Sequence, residues 1–239
     1  MKKIIIPILI IFFTFVIYKA NDDNLIDYVS IGDSINLGIN SYGNYSYGYN
    51  DYIKTYLENN ELLHKYNSFY SKNDYTIEEL LNDIKNNKTI LYNDKTYNIK
   101  KELREADLLT IAIGMDEFSK ILNSKDISNF NNIKPSLDKM ISNMDELLNG
   151  IKKLSKAEII LVGYYNTNNN YNKDTDKVFA YMNDNYRDIT KKYSIKYVDI
   201  YKVISQDKSY LPNQNDYHLT SKAYLKIATK IIENIDIDI

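Results

Sequence analysis

Apolar residues along this chain fall into two spacings: short apolar runs, and longer stretches in which they return every three or four positions. Short runs stand at Ile26–Ile31, Asp107–Ile113 and Ala157–Val162, and the last two stop at Gly114 and Gly163. Such runs suit strands covered on both faces, as in a parallel sheet. A weaker strand is expected over Lys65–Tyr70 and a last one over Lys196–Ile200. Helical spacing fills the intervals: Tyr49–Leu57, the Leu80, Leu81 and Ile84 group, Phe118 to Leu154 with a break near Lys134-Pro135, Asp176–Tyr193 and Ser221–Asn234. In the longest of these, Leu137, Met140, Ile141, Met144, Leu147, Leu148 and Ile151 make one stripe and are assigned to the core. Asp74-Tyr75-Thr76-Ile77-Glu78-Glu79 reads as a helix start, with Thr76 or Asp74 as cap and Glu79 three residues after Thr76, the spacing of a capping box.

Strands alternating with helices in this way predict an α/β fold, a three-layer αβα sandwich on a flavodoxin-like parallel sheet of about five strands. No internal repeat and no second domain are visible; residues 21–239 are expected to form one domain. Ahead of it, Lys2 and Lys3 precede an uncharged run from Ile4 to Tyr18 and then Lys19. A basic start and an apolar run of this length form an export signal over residues 1–20, cleaved or kept as a membrane anchor. The domain is then expected at the cell surface or secreted.

Composition removes several chemistries. With no cysteine, disulfides, thiol catalysis and Cys-bound zinc are excluded. A formal net charge of -2 leaves no electrostatic footprint for nucleic acid. No phosphate loop or metal-binding pattern is present, and no cofactor is expected. The 24 tyrosines and the many asparagines are partly a coding bias, so asparagine-rich loops such as Asn166–Asn172 carry little weight as cleft linings. Tyr42, Tyr45, Tyr47, Tyr49 and Tyr52 are read as packing before they are read as an aromatic wall. Only two histidines exist, His64 and His218, so any histidine base must be one of them. His64 has no partner near it in sequence.

The first strand runs into Gly32-Asp33-Ser34. A serine there stands at the carboxyl end of a strand, beside backbone N–H groups that can hold a developing negative charge. Asp33 is expected to fix the turn by hydrogen bonding. His218 lies in the polar loop before the last helix, which a parallel sheet brings to the same edge. A serine needs a base to become a nucleophile, and the base needs a partner to orient its ring; Asp216 and Asn215 are the neighbours available for that.

These blocks resemble the SGNH (GDSL-type) hydrolases, a family of lipases, esterases and carbohydrate deacetylases. The resemblance covers the chain after Asn24 and rests on Gly32-Asp33-Ser34, on Thr110-Ile111-Ala112-Ile113-Gly114, and on His218 followed by Thr220 and Tyr224. It implies Ser34 as nucleophile and His218 as base, without a metal. The oxyanion hole implied is the serine's own N–H, a backbone N–H of the second block and an asparagine of the third. The third block here reads Gly114-Met115-Asp116-Glu117, so Asp116 stands where that asparagine is expected. An ionised carboxylate donates no hydrogen bond and would repel an oxyanion; it could help only if protonated. In the second block, Asp74 or Asn73 stands where the family has glycine, and a backbone N–H survives that change. The family's acid falls three residues before the histidine, at Asn215, with Asp216 one place later. The expectation is an exported serine hydrolase of carboxylic esters, whether lipid, short-chain ester or O-acetyl groups on surface glycans. The alternative is a weakened or inactive module of the same fold that binds glycan or lipid.

Overall fold

The computed structural model describes residues 25–124, 130–167, 173–213 and 216–236. In chain order the elements are β1 (Ile26–Gly32), α1 (Tyr49–Asn59), β2 (Leu63–Asn67), α2 (Ile77–Lys85), β3 (Thr89–Tyr92), β4 (Lys95–Asn98), α3 (Ile99–Glu105) and β5 (Leu108–Ala112). They continue with α4 (Met115–Ser124), α5 (Phe130–Leu154), β6 (Glu158–Val162), α6 (Lys173–Lys192), β7 (Lys196–Val198), α7 (Tyr201–Ser205) and α8 (Ser221–Ile232). Five strands form a parallel sheet in the order β2-β1-β5-β6-β7. With the β3–β4 hairpin set aside, that is the flavodoxin-like order expected.

The apolar runs explain the layering. Every residue of β5 is buried and all of β1 but Asp27, so the sheet is covered on both faces. Helix α1 packs against α8, while α2, α5 and α6 pack in a row. The stripe on α5 buries Leu137, Met140, Met144, Leu147, Leu148 and Ile151, with Ile133 added and Ile141 half-buried. Each fully buried side chain of this kind contributes about 2 kcal/mol. Helix α2 begins with the capping box: Glu79 N donates to Thr76 Oγ1 at 3.1 Å and Thr76 N to Glu79 Oε2 at 3.0 Å.

Two local expectations change, and one further element was not anticipated. The second strand lies at Leu63–Asn67 rather than Lys65–Tyr70, and the chain beyond it meets β1 again in one bridge, Gly32 with Ser71. Helix α5, described from Phe130, runs through Pro135 without a break. Pro135 sits in the second turn of α5, where it forfeits one intrahelical hydrogen bond, a loss that burial of the stripe outweighs. The further element is the hairpin β3–β4, which intervenes before α3 and turns on Asn93 and Asp94 with φ of 47° and 59°. Two residues in the left-handed region match the twist of paired strands.

Among the described residues no helix is long and apolar enough to cross a membrane. The apolar run expected to act as signal or anchor lies outside the described residues.

In the sheet order the connections leave β1 and β5 in opposite directions, so their carboxyl ends form the switch point where such sheets place ligands. Gly32 and Ala112 pair there, and a Cβ on Gly32 would lie 1.8 Å from the Ala112 carbonyl oxygen. Replacing Gly32 with alanine is therefore expected to destabilise the protein by more than about 2 kcal/mol in urea unfolding. Gly150, inside α5 with nothing within 4 Å of its would-be Cβ, is the control: Gly150→Ala should stabilise by about 1 kcal/mol.

Candidate active site

The turn after β1 is fastened to the turn after β5 by two buried carboxylates, of which Asp33 reaches the start of α4. Asp33 Oδ1 accepts from Ile35 N at 3.1 Å, and Oδ2 accepts from Met115 N at 2.8 Å and Asp116 N at 3.3 Å. Asp33 thus does more than fix its own turn: it caps the start of α4. Burial and the neighbouring Asp116 charge push its carboxyl well above the usual carboxylate range, against the pull of the three backbone N–H groups.

A third segment, the second-block loop, is brought in by the backbone and by a buried polar network. Lys72 N donates to Gly32 O at 3.2 Å. Asn36 donates to Ser71 Oγ at 2.6 Å, while Ser30 and Tyr49 donate to Asn36 Oδ1 at 2.5 Å each. Asp74 adopts φ 59°, a left-handed conformation that aspartate tolerates better than most residues. That conformation stands where glycine was expected and points the Asp74 N–H into the site.

Four donors converge on Asp116. Its Oδ2 accepts from Ser34 N at 3.2 Å and Asp74 N at 2.7 Å. Its Oδ1 accepts from Tyr217 OH at 2.9 Å and from the Ser34 hydroxyl. Ser34 and Asp116 are both buried. The carboxylate thus occupies the two backbone donors expected to hold an oxyanion. Gly114, at the head of the third block and grouped with the candidate oxyanion or substrate-binding residues, is not among the described donors to this carboxylate. With φ 93° it shapes the turn, where a Cβ would meet Tyr164 OH at 2.1 Å.

His218 is set beside this group by the last loop. Its Nδ1 lies 2.5 Å from Asp216 Oδ1, which also accepts from His218 N at 3.0 Å. Asp216, two residues before the histidine, takes the orienting position; Asn215 lies outside the described residues. The other ring nitrogen, Nε2, is buried and has no hydrogen-bond partner among the described residues. The loop is braced by Tyr165 OH donating to Tyr217 O at 2.5 Å and Tyr224 OH donating to Ile39 O at 2.6 Å. Leu219 also bridges to Asn40 in the loop after Ser34.

Chemically, this is a serine at a strand end, a histidine oriented by a carboxylate, and a pair of converging N–H groups already holding an anion. Residues 28–231 match the family described as GDSL-like lipase/acylhydrolase. The chain belongs to that family. It is an ester-hydrolysing enzyme by that membership. Among solved structures it is similar to the lipase Lip_vut3 from a goat rumen metagenome, with 20% identity, 86% of this chain and 95% of that chain covered and a TM-score of 0.68. It is also similar to Axe2, an acetylxylan esterase from Geobacillus stearothermophilus, with 17% identity, coverage of 88% and 94% and a TM-score of 0.64. TesA matches at 12% identity, coverage of 87% and 97% and a TM-score of 0.62. These likenesses establish the shared fold. No curated protein matches the chain.

Sequence reasoning missed Tyr217 and Asn36. Tyr217 is adjacent to His218 in a polar loop, and that adjacency was the available signal. Asn36 follows Ser34 by two residues and carries none. The tyrosine cluster divides: Tyr49 is core, whereas Tyr42 and Tyr45 are exposed. His64 pairs with Asp27 at 2.6 Å, away from Ser34.

Because Asp74 contributes its backbone N–H to this site, Asp74→Gly should keep ester hydrolysis within about threefold, since glycine retains the donor and prefers the same φ. Steady-state kinetics on p-nitrophenyl acetate check this.

Proposed function

We propose that this enzyme cleaves small carboxylic esters through an acyl-enzyme, with Ser34 as nucleophile and the Asp216–His218 pair as base. The reading is carried by one observation: His218 Nδ1 is engaged by Asp216 at 2.5 Å, which leaves Nε2 as the nitrogen available to take a proton. Ser34 Oγ bonds to the carbonyl carbon, its proton goes to Nε2, and the carbonyl π pair moves onto oxygen. Collapse of that intermediate expels the alcohol, which leaves with the proton from His218. Water then repeats the sequence to release the acid.

The substrate class we favour is an ester with a short acyl group, such as an O-acetyl group on a surface glycan. Three things support it. Ser34 is fully buried, which suits a small acyl group better than a long chain. One similar structure is an acetylxylan esterase. Lys2, Lys3 and the apolar run to Tyr18 support export, which would bring the enzyme to glycans at the cell surface or beyond, with the N-terminal segment as signal or anchor.

One observation favours the inactive-module reading: the Ser34 hydroxyl donates to Asp116 rather than to His218. Fluorophosphonate labelling separates the two. The enzyme should label at Ser34, lose the label in Ser34→Ala, and label at least about a thousandfold more slowly in His218→Ala. Folded protein that does not label at Ser34 would falsify the esterase reading.

A further inference from the structure

The Asp116 carboxylate is an anion already bound in this site, and its donors mark where the site can hold negative charge. They are the N–H groups of Ser34 and Asp74 and the hydroxyls of Ser34 and Tyr217. In ester cleavage the Ser34 oxygen enters the new bond, which leaves two N–H groups and one phenol. The family pattern supplies a third donor from an asparagine amide, and the residue at that position here is an acid.

We infer that the Tyr217 hydroxyl is the third oxyanion donor, acting in place of the amide missing at position 116. This rests on ester hydrolysis by Ser34. The phenol is aimed at the reacting group: Tyr217 OH and the Ser34 hydroxyl share one acceptor, Asp116 Oδ1. It is also held still. Its ring stacks on His218 with centroids 4.3 Å apart and planes 30° apart, and its carbonyl accepts from Tyr165 OH at 2.5 Å. Burial and the adjacent Asp116 charge raise the phenol's pKa, so it stays protonated and able to donate. Asp116 cannot remain in place while a second negative charge forms there. The carboxylate turns aside, the oxyanion takes the two N–H donors that held Oδ2, and the Tyr217 hydroxyl, which held the adjacent Oδ1, turns onto it.

A double-mutant cycle with Tyr217→Phe and Asp116→Asn tests the assignment, because phenylalanine keeps the ring and its stacking on His218 while removing the donor. In the wild-type background Tyr217→Phe should lower kcat on p-nitrophenyl acetate about 30- to 100-fold with KM changed less than about threefold. Its affinity for a boronic acid transition-state analogue should fall by a similar factor. Asp116→Asn alone should raise kcat, and in that background the restored amide should reduce the cost of Tyr217→Phe to less than about fivefold. An unchanged kcat in Tyr217→Phe overturns the assignment. So does an equal loss in both backgrounds, which would mean that the ring only braces His218 or that the hydroxyl only supports the fold. Thermal unfolding of each variant reports the latter directly. If wild-type enzyme neither labels with fluorophosphonate nor hydrolyses the ester, the esterase reading fails; if it does both and only the cycle fails, the donor assignment alone is lost.

Discussion

The site depends on Asp33 holding two turns together. A parallel sheet brings the carboxyl ends of β1 and β5 side by side, but the chain leaves them in opposite directions. One backbone bond, Asp33 N to Ala112 O at 2.9 Å, joins the turn bearing Ser34 to the end of β5, and side-chain carboxylates fix the start of α4 against it. Asp33 does this by accepting from Ile35 on its own turn and from Met115 and Asp116 on the other. A buried N–H left without an acceptor costs about 1–3 kcal/mol, so the three bonds strongly favour the closed arrangement. Gly32 makes the approach sterically possible, since any side chain there would run into the Ala112 carbonyl. Asn36 and Ser71 extend the same logic to the second-block loop.

Once these three segments are locked, the position of Asp116 follows, and with it the main peculiarity of the enzyme. Its carboxylate satisfies the donors that an oxyanion would use. Two unit negative charges about 4 Å apart repel by about 4 kcal/mol at an effective dielectric of about 20. That exceeds the roughly 3 kcal/mol that one oxyanion donor contributes, so a fixed carboxylate would more than cancel a donor. The resting arrangement is accordingly a closed one, in which Ser34 is bonded to Asp116 and His218 Nε2 is without a partner among the described residues. On the proposed esterase reading, turnover requires the carboxylate to yield its place.

Much of this was legible in the chain. Apolar runs ending in glycine gave away β1, β5 and β6 because a doubly covered strand must be apolar on both faces. Ser34, His218 and the misfit at Asp116 were visible because each stands in a short block that matches the family pattern or departs from it at one position. Asp216 was legible only as one of two candidates, since a loop's path decides which side chain meets the imidazole. The hairpin β3–β4 was not legible, because Thr89–Tyr92 and Lys95–Asn98 are half-exposed or exposed and lack a clean alternation. Pro135 misled because its cost depends on how far it lies from the helix start, a boundary that periodicity does not locate. Tyr217 was masked by its residue type: among 24 tyrosines, its place next to His218 was its one signal, and that does not say where its hydroxyl points.

The most direct test of the account is a crystal structure of the Ser34 adduct formed with a fluorophosphonate, whose phosphoryl oxygen stands in for the oxyanion. The account predicts that oxygen within hydrogen-bond distance of Ser34 N, Asp74 N and Tyr217 OH, with the Asp116 carboxylate rotated out of the hole. An adduct whose phosphoryl oxygen points elsewhere, with Asp116 still bound to both N–H groups, would contradict it.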